Sequence, residues 1–302
     1  MSRIFPILHF IRDPSGEHPL KLEILLESVE RLILHEETIP ENLEELRESF
    51  RRSSYFWHPI IVDRESRVVL DGMHRVASLR EMGYRYIPIL TIDAMDPHVR
   101  LERWIRCYAL SGDVNIPRVI EEGGFTPEVE CRGEGEKLIR KASLREPPRG
   151  EFRVIDTFGG VMYRLEVSSE DPVEVYSKIR GLELTLEEEA GETRYSTESS
   201  MLEGFRMQGL STFVVPPRLT KEEVFQAARE GKLFCPKATR FVLPVRAMFV
   251  NTPIYLLEES EMDWEERNRI HYMVLRQRRL FKIEGNVDID RRYEEPYLYL
   301  FE

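Results

Sequence analysis

V-V-L-D-G-M-H-R-V-A-S-L-R-E-M-G, residues 68–83, is the stretch on which the reading of this chain turns. The apolar run Val68, Val69, Leu70 reads as a short buried strand that breaks at Asp71-Gly72. Helical spacing then takes over at Val76, Leu79 and Met82 and stops at Gly83. A strand, tight turn and helix leave the backbone N–H groups of the first helical turn at the mouth of the turn. Together with the helix dipole they form an anion site. Asp71, His74 and Arg75 add a carboxylate, an imidazole and a guanidinium to the same turn. Such groups can hold a metal, donate to a phosphate and clamp it bidentately. The plainer reading has Asp71 capping the helix, with His74 and Arg75 solvated. A motif this short does not choose between the two.

Working outward, Phe56-Trp57-His58-Pro59 leads into a strand at 59–62, and a turn at 63–66 makes Val68–Leu70 its hairpin partner. Downstream, Tyr86 to Ile92 alternates around Pro88, which predicts a strand near a sheet edge. Upstream, Thr38 and Glu41 form a capping box with Pro40 in the first turn, predicting a helix from about Ile39 to Arg52. His35, Glu36 and Glu37 then stand on a loop just outside a helix N-terminus. An acid there either complements the dipole or, beside a bound nucleotide, accepts the proton of a substrate hydroxyl. Leu22, Leu25, Leu26, Val29, Leu32 and Ile33 have helical spacing, although the end of that run also suits a strand. Residues 20–95 therefore read as a compact α+β unit with its loops gathered around Asp71.

Beyond it, Leu101, Trp104, Ile105 and Tyr108 read as an amphipathic segment with Trp104 in a core. Glycines and prolines between 111 and 150 mark a change of organisation. Phe152 to Val167 reads as a hairpin around Gly159-Gly160, and the acidic stretch Glu183–Glu198 as a solvated surface. Thr220 and Glu223 form a second capping box before a helix that closes at Gly231. Next comes L-F-C-P-K-A-T-R-F-V-L-P, residues 233–244, with Lys237, Thr239 and Arg240 between apolar flanks. That loop suits a small anion, or else a surface position with Arg240 paired to a carboxylate. Trp264 to Leu280 reads as an amphipathic helix with a basic end, followed by a Tyr-rich tail.

The 302 residues allow two or three domains, and 42% hydrophobic content supports a globular core. No apolar run is long enough for a membrane span, and the N-terminal M-S-R-I-F-P-I-L-H-F lacks the pattern of a signal peptide. Cys107, Cys131 and Cys235 are odd in number and widely spaced, which fits reduced thiols in a cytoplasm and no zinc site. A net charge of −11 argues against a nucleic-acid interface but leaves room for a small anion in a local basic pocket.

The order H-E-E, W-H-P, L-D-G-M-H-R, then T-K-E-E-V and P-K-A-T-R-F-V-L-P resembles the free L-serine kinases. The match spans about 30–115 and 213–244. The resemblance implies an α+β fold: a ParB/sulfiredoxin-like N-terminal domain (1–115), a second α/β domain (116–245) and a C-terminal extension (246–302). It implies phosphoryl transfer from ATP or ADP, with Mg²⁺, to L-serine, giving O-phospho-L-serine that feeds cysteine synthesis. Glu36 would be the general base, with Glu37 as the alternative. Asp71 would hold Mg²⁺ or orient the hydroxyl, and Gly72, Met73, His74 and Arg75 would form the nucleotide loop. Trp104, Lys237, Thr239 and Arg240 would bind serine or the transferred phosphate. Phe241 stands where the family often has a His, which removes a polar contact near the substrate. A monomer or small homo-oligomer that binds neither nucleic acid nor membrane is expected. Sulfiredoxin chemistry would need a Cys where Met73 stands, and a ParB-type DNA binder a basic helix-turn-helix region; neither is present. A nucleotide sensor without kinase activity could dispense with Glu36.

Overall fold

A computed structural model describes residues 7–10, 20–285, 287–289 and 292–302. The N-terminal stretch weighed above as a signal peptide lies largely outside the described residues. The chain forms two compact units. The first holds the residues up to Arg100, Ala228–Gly231 and Phe241–Glu302; the second holds Leu101–Ala227 and Lys232–Arg240. Residues 246–302 thus cluster with the N-terminal part of the chain. Among the described residues no helix is long and apolar enough to cross a membrane.

In the first unit a five-stranded sheet has the order Ile7–Phe10, Leu20–Ser28, Tyr86–Ile92, Ile60–Asp63, Val69–Asp71. Helices Pro40–Arg52 and Met73–Glu81 bury Leu43, Phe50, Val76 and Leu79. The expected hairpin is present, with strand 60–63 antiparallel to 69–71. Residues 20–28 form a strand, not a helix. Leu22, Ile24, Leu25 and Leu26 are all buried, so side chains on both faces are apolar and alternation is lost.

Tyr86–Ile92 is the central strand, not an edge. It runs antiparallel to 20–28 and parallel to 60–63. Arg64 N–H bonds Ile92 O, and stepping back along that parallel register in twos puts the absent Pro88 N–H opposite His58 O. That carbonyl accepts instead from Arg75 Nη1, at 2.8 Å. On the other flank Val29 N–H bonds Arg85 O, so Leu26 turns its own backbone groups away from the central strand. Asn268, from helix Trp264–Arg276, satisfies both: Leu26 N–H donates to Oδ1 (2.7 Å) and Nδ2 donates to Leu26 O (3.1 Å). Arg75 thus stands in for the missing Pro88 donor, and Asn268 completes the far side of strand 20–28.

In the second unit a six-stranded sheet has the order 194–196, 105–108, 212–215, 151–156, 161–166, 128–132, with 151–156 and 161–166 forming the expected hairpin. Trp104 precedes a strand, Ile105–Tyr108, not a helical turn. Glu183, read as solvated, lies on the inner face of helix Pro172–Ala190, fully buried and ion-paired with Arg106. The Thr220–Glu223 capping box forms as expected, through Thr220 Oγ1 and Glu223 Oε2.

Candidate active site

The turn at 71–73 is built on Gly72, whose φ of +104° is a left-handed conformation. A Cβ there would sit 2.5 Å from Ile60 Cγ2 and 2.7 Å from Arg75 Nη2, so both backbone and space require glycine. Helix Met73–Glu81 starts directly after it, and Val76 N–H bonds Gly72 O. The N–H groups of the first helical turn precede that bond, and a helix start of this kind favours an anion. The N-cap of this helix is Gly72, so Asp71 stands one residue before the cap position. The Asp71 Oδ2 accepts from Arg75 Nη2 (3.0 Å) and Arg246 Nη1 (2.7 Å).

The Glu36 loop is sewn to this turn on both sides. Ile33 N–H bonds Arg67 O and Val69 N–H bonds Ile33 O, each at 2.9 Å. His35, fully buried, hydrogen-bonds the backbone of Val69 and meets the ring of Phe241 edge-on at 5.8 Å. Burial pushes its imidazole down to about 4, partly offset by the Val69 bond. At the other end, Ile39 N–H donates to His74 Nε2 at 2.9 Å. The N-cap of helix Pro40–Arg52 is Ile39, and it has no side-chain cap. The Thr38 capping box is therefore not used as expected: His74 supplies the acceptor at the helix start. With Nε2 accepting, a neutral His74 carries its proton on Nδ1. Glu36 lies between the anchors to Val69 and His74, as Asp71 does on its own segment. Glu36 is 7% exposed whereas Glu37 is exposed.

The second unit gathers the other expected group. Lys237 Nζ lies 5.6 Å and Arg240 Cζ 5.3 Å from the Trp104 ring centre, and Arg240 pairs with Glu102. Trp104 is half-buried, Thr239 is 8% exposed, and Lys237 is exposed with φ of +63°. Trp104 therefore serves as a platform for two cations.

The metal expectation at Asp71 meets a poor donor set. Its Oδ2 is already shared by two guanidiniums, and among the described residues no three His, Cys, Asp or Glu gather as a metal site. These residues do not fit a protein-held Mg²⁺. Sequence reasoning missed Arg246. The available signal was an Arg inside the apolar run V-R-A-M-F-V, where a buried guanidinium demands a carboxylate.

No family model matches the chain. An ATP-dependent L-serine kinase of Staphylothermus marinus is 30% identical over 251 residues, covering 81% of this chain and 95% of the relative. The chain belongs to the L-serine kinase family. An ADP-dependent L-serine kinase of Thermococcus kodakarensis is 27% identical, over 74% of this chain and 88% of that protein. A free serine kinase variant solved in complex with ADP shares the fold, with a TM-score of 0.61 and 22% identity over 78% of this chain and 93% of that one.

Proposed function

We propose that this family member is a free L-serine kinase, transferring a phosphoryl group from ATP or ADP to the serine hydroxyl to give O-phospho-L-serine. The observation that carries the reading is the buried Glu36 on a loop tied at both ends to the segment bearing Asp71-Gly72-Met73-His74-Arg75. The nucleotide phosphates lie at the N-terminus of helix Met73–Glu81, where backbone N–H groups and His74 Nδ1–H donate to them. Glu36 takes the hydroxyl proton as the serine oxygen bonds to the terminal phosphorus and the bond to the departing nucleotide breaks. Asp71 orients the hydroxyl. Lys237, Thr239 and Arg240 hold the serine carboxylate or the transferred phosphate, with Trp104 beneath them. Positioning and charge neutralisation are what this chemistry asks of a protein. A cytoplasmic setting suits a substrate pair of free amino acid and nucleotide, and Mg²⁺ enters with the nucleotide as its counter-ion.

The test is a transfer assay with Mg²⁺, L-serine and either ATP or ADP, phosphoserine being read by mass spectrometry. Product from one nucleotide establishes reaction and donor together. Nucleotide binding without product from either sinks the kinase reading and leaves a sensor.

A further inference from the structure

Arg246 sits on strand Val245–Met248 with 9% exposure, an uncommon burial for a guanidinium. It divides its donors between two carboxylates. Nη1 meets Asp71 Oδ2 and Nε meets Glu295 Oε1, both at 2.7 Å, while Cζ lies 5.8 Å from the Tyr293 ring centre. Glu295 is only 12% exposed and belongs to the C-terminal segment, close before strand Tyr297–Phe301. That strand runs parallel to 245–248. The sheet therefore fixes Glu295 relative to Arg246, and Arg246 in turn holds the same Asp71 oxygen that Arg75 of its own turn holds.

We propose that Arg246, aimed by Glu295, is a positioning residue for Asp71, and that the C-terminal segment thereby sets the orientation of a site carboxylate. A planar guanidinium can serve two carboxylates at a fixed angle, which an ammonium cannot. The kinetic part of the test rests on the kinase reading; the exchange part does not. Arg246→Lys keeps the charge and loses the fork. Its kcat falls about tenfold or more while KM for serine and nucleotide affinity stay within about threefold, since only orientation is lost. Glu295→Gln lowers kcat in the same direction, by less, and adds no further loss in the Arg246→Lys background because it acts through that residue. Hydrogen exchange of the amides at 71–75 quickens in both single variants. Unchanged kcat in Arg246→Lys, or losses that add in the double variant, overturn the proposal. Should wild type make no phosphoserine, the kinase reading falls by itself. Unchanged exchange at 71–75 in Arg246→Lys then overturns the positioning role independently.

Discussion

Acidification from pH 8 to 5 should cost the first unit about 4 kcal/mol, and two buried histidines account for it. His35 and His271 are each 1% exposed or less. Burial pushes His35 down to about 4; burial and then the Arg278 guanidinium push His271 down to about 3. Both folded values lie below the ordinary 6.5, so the unfolded chain binds protons first as the pH falls. The stabilisation is complete above 6.5 and is lost on the way down. At pH 5 the difference in proton binding is worth about 2 kcal/mol for each histidine, and the two sum to about 4. The window ends at 5 because carboxylates begin to titrate below it. The assay is guanidinium unfolding at several pH values in a Trp104→Phe background. The remaining tryptophans, Trp57 and Trp264, both lie in the first unit. His271→Gln retains an amide near Thr252 and should remove about half of the pH dependence. A pH-independent midpoint across this window refutes the argument, as does a His271→Gln variant with the full wild-type slope.

Other outcomes follow from single contacts. Glu36→Gln should lower kcat by roughly two to four orders of magnitude with nucleotide affinity retained, read by transfer assay and calorimetry. Normal turnover would move the base role to Glu37 or Asp71. Gly72→Ala forces a Cβ to 2.5 Å from Ile60 Cγ2 at a φ of +104°, a strain on the order of 1–3 kcal/mol before any displacement of Ile60. Melting temperature and nucleotide affinity should both fall. Asn268→Leu strands the buried Leu26 N–H and should cost about 2–4 kcal/mol in unfolding experiments. Lys237→Ala should raise KM for serine about tenfold or more and leave nucleotide affinity unchanged, because a charge-assisted contact is lost on the acceptor side only.

The parts of this fold legible in sequence are those decided locally. The hairpin 60–71, the Gly72 turn, the Thr220 capping box and the helix at 264–276 each follow from residues a few positions apart. Strand 20–28 is misread because both its faces are apolar, whereas the other failures share one cause, compensation from far along the chain. Pro88 reads as an edge residue because nothing nearby announces that Arg75 will serve His58 O. Thr38 and Glu41 spell a capping box, yet His74, from the next helix, provides the acceptor at Ile39. Glu183 reads as solvated until Arg106 is placed beside it. In the candidate site, residue types and order were legible from the motifs. The sharing of Asp71 between two guanidiniums was not, because Arg246 is 175 positions away.

That sharing changes how the D-G-M-H-R turn is best understood. A carboxylate beside a phosphate position repels the ligand unless its charge is offset. Here Arg75 and Arg246 both bond the same oxygen, Asp71 Oδ2. Arg75 is further committed to His58 O, so its first duty is to the sheet and the turn. Burial alone would lower the Arg246 pKa, but the Asp71 and Glu295 carboxylates more than reverse this, so it stays charged. Among the described contacts, Glu295 offsets the second of the two guanidiniums on Asp71 Oδ2. On the kinase reading proposed above, these pairings offset Asp71, and the attraction for phosphate would fall to the backbone N–H groups and His74. An anion site of this kind depends on backbone geometry more than on side-chain charge. It follows that Gly72→Ala should harm nucleotide binding more than Arg75→Lys does. An Arg75→Lys variant that loses nucleotide while keeping its melting temperature would show the opposite: that the guanidinium meets the phosphate directly.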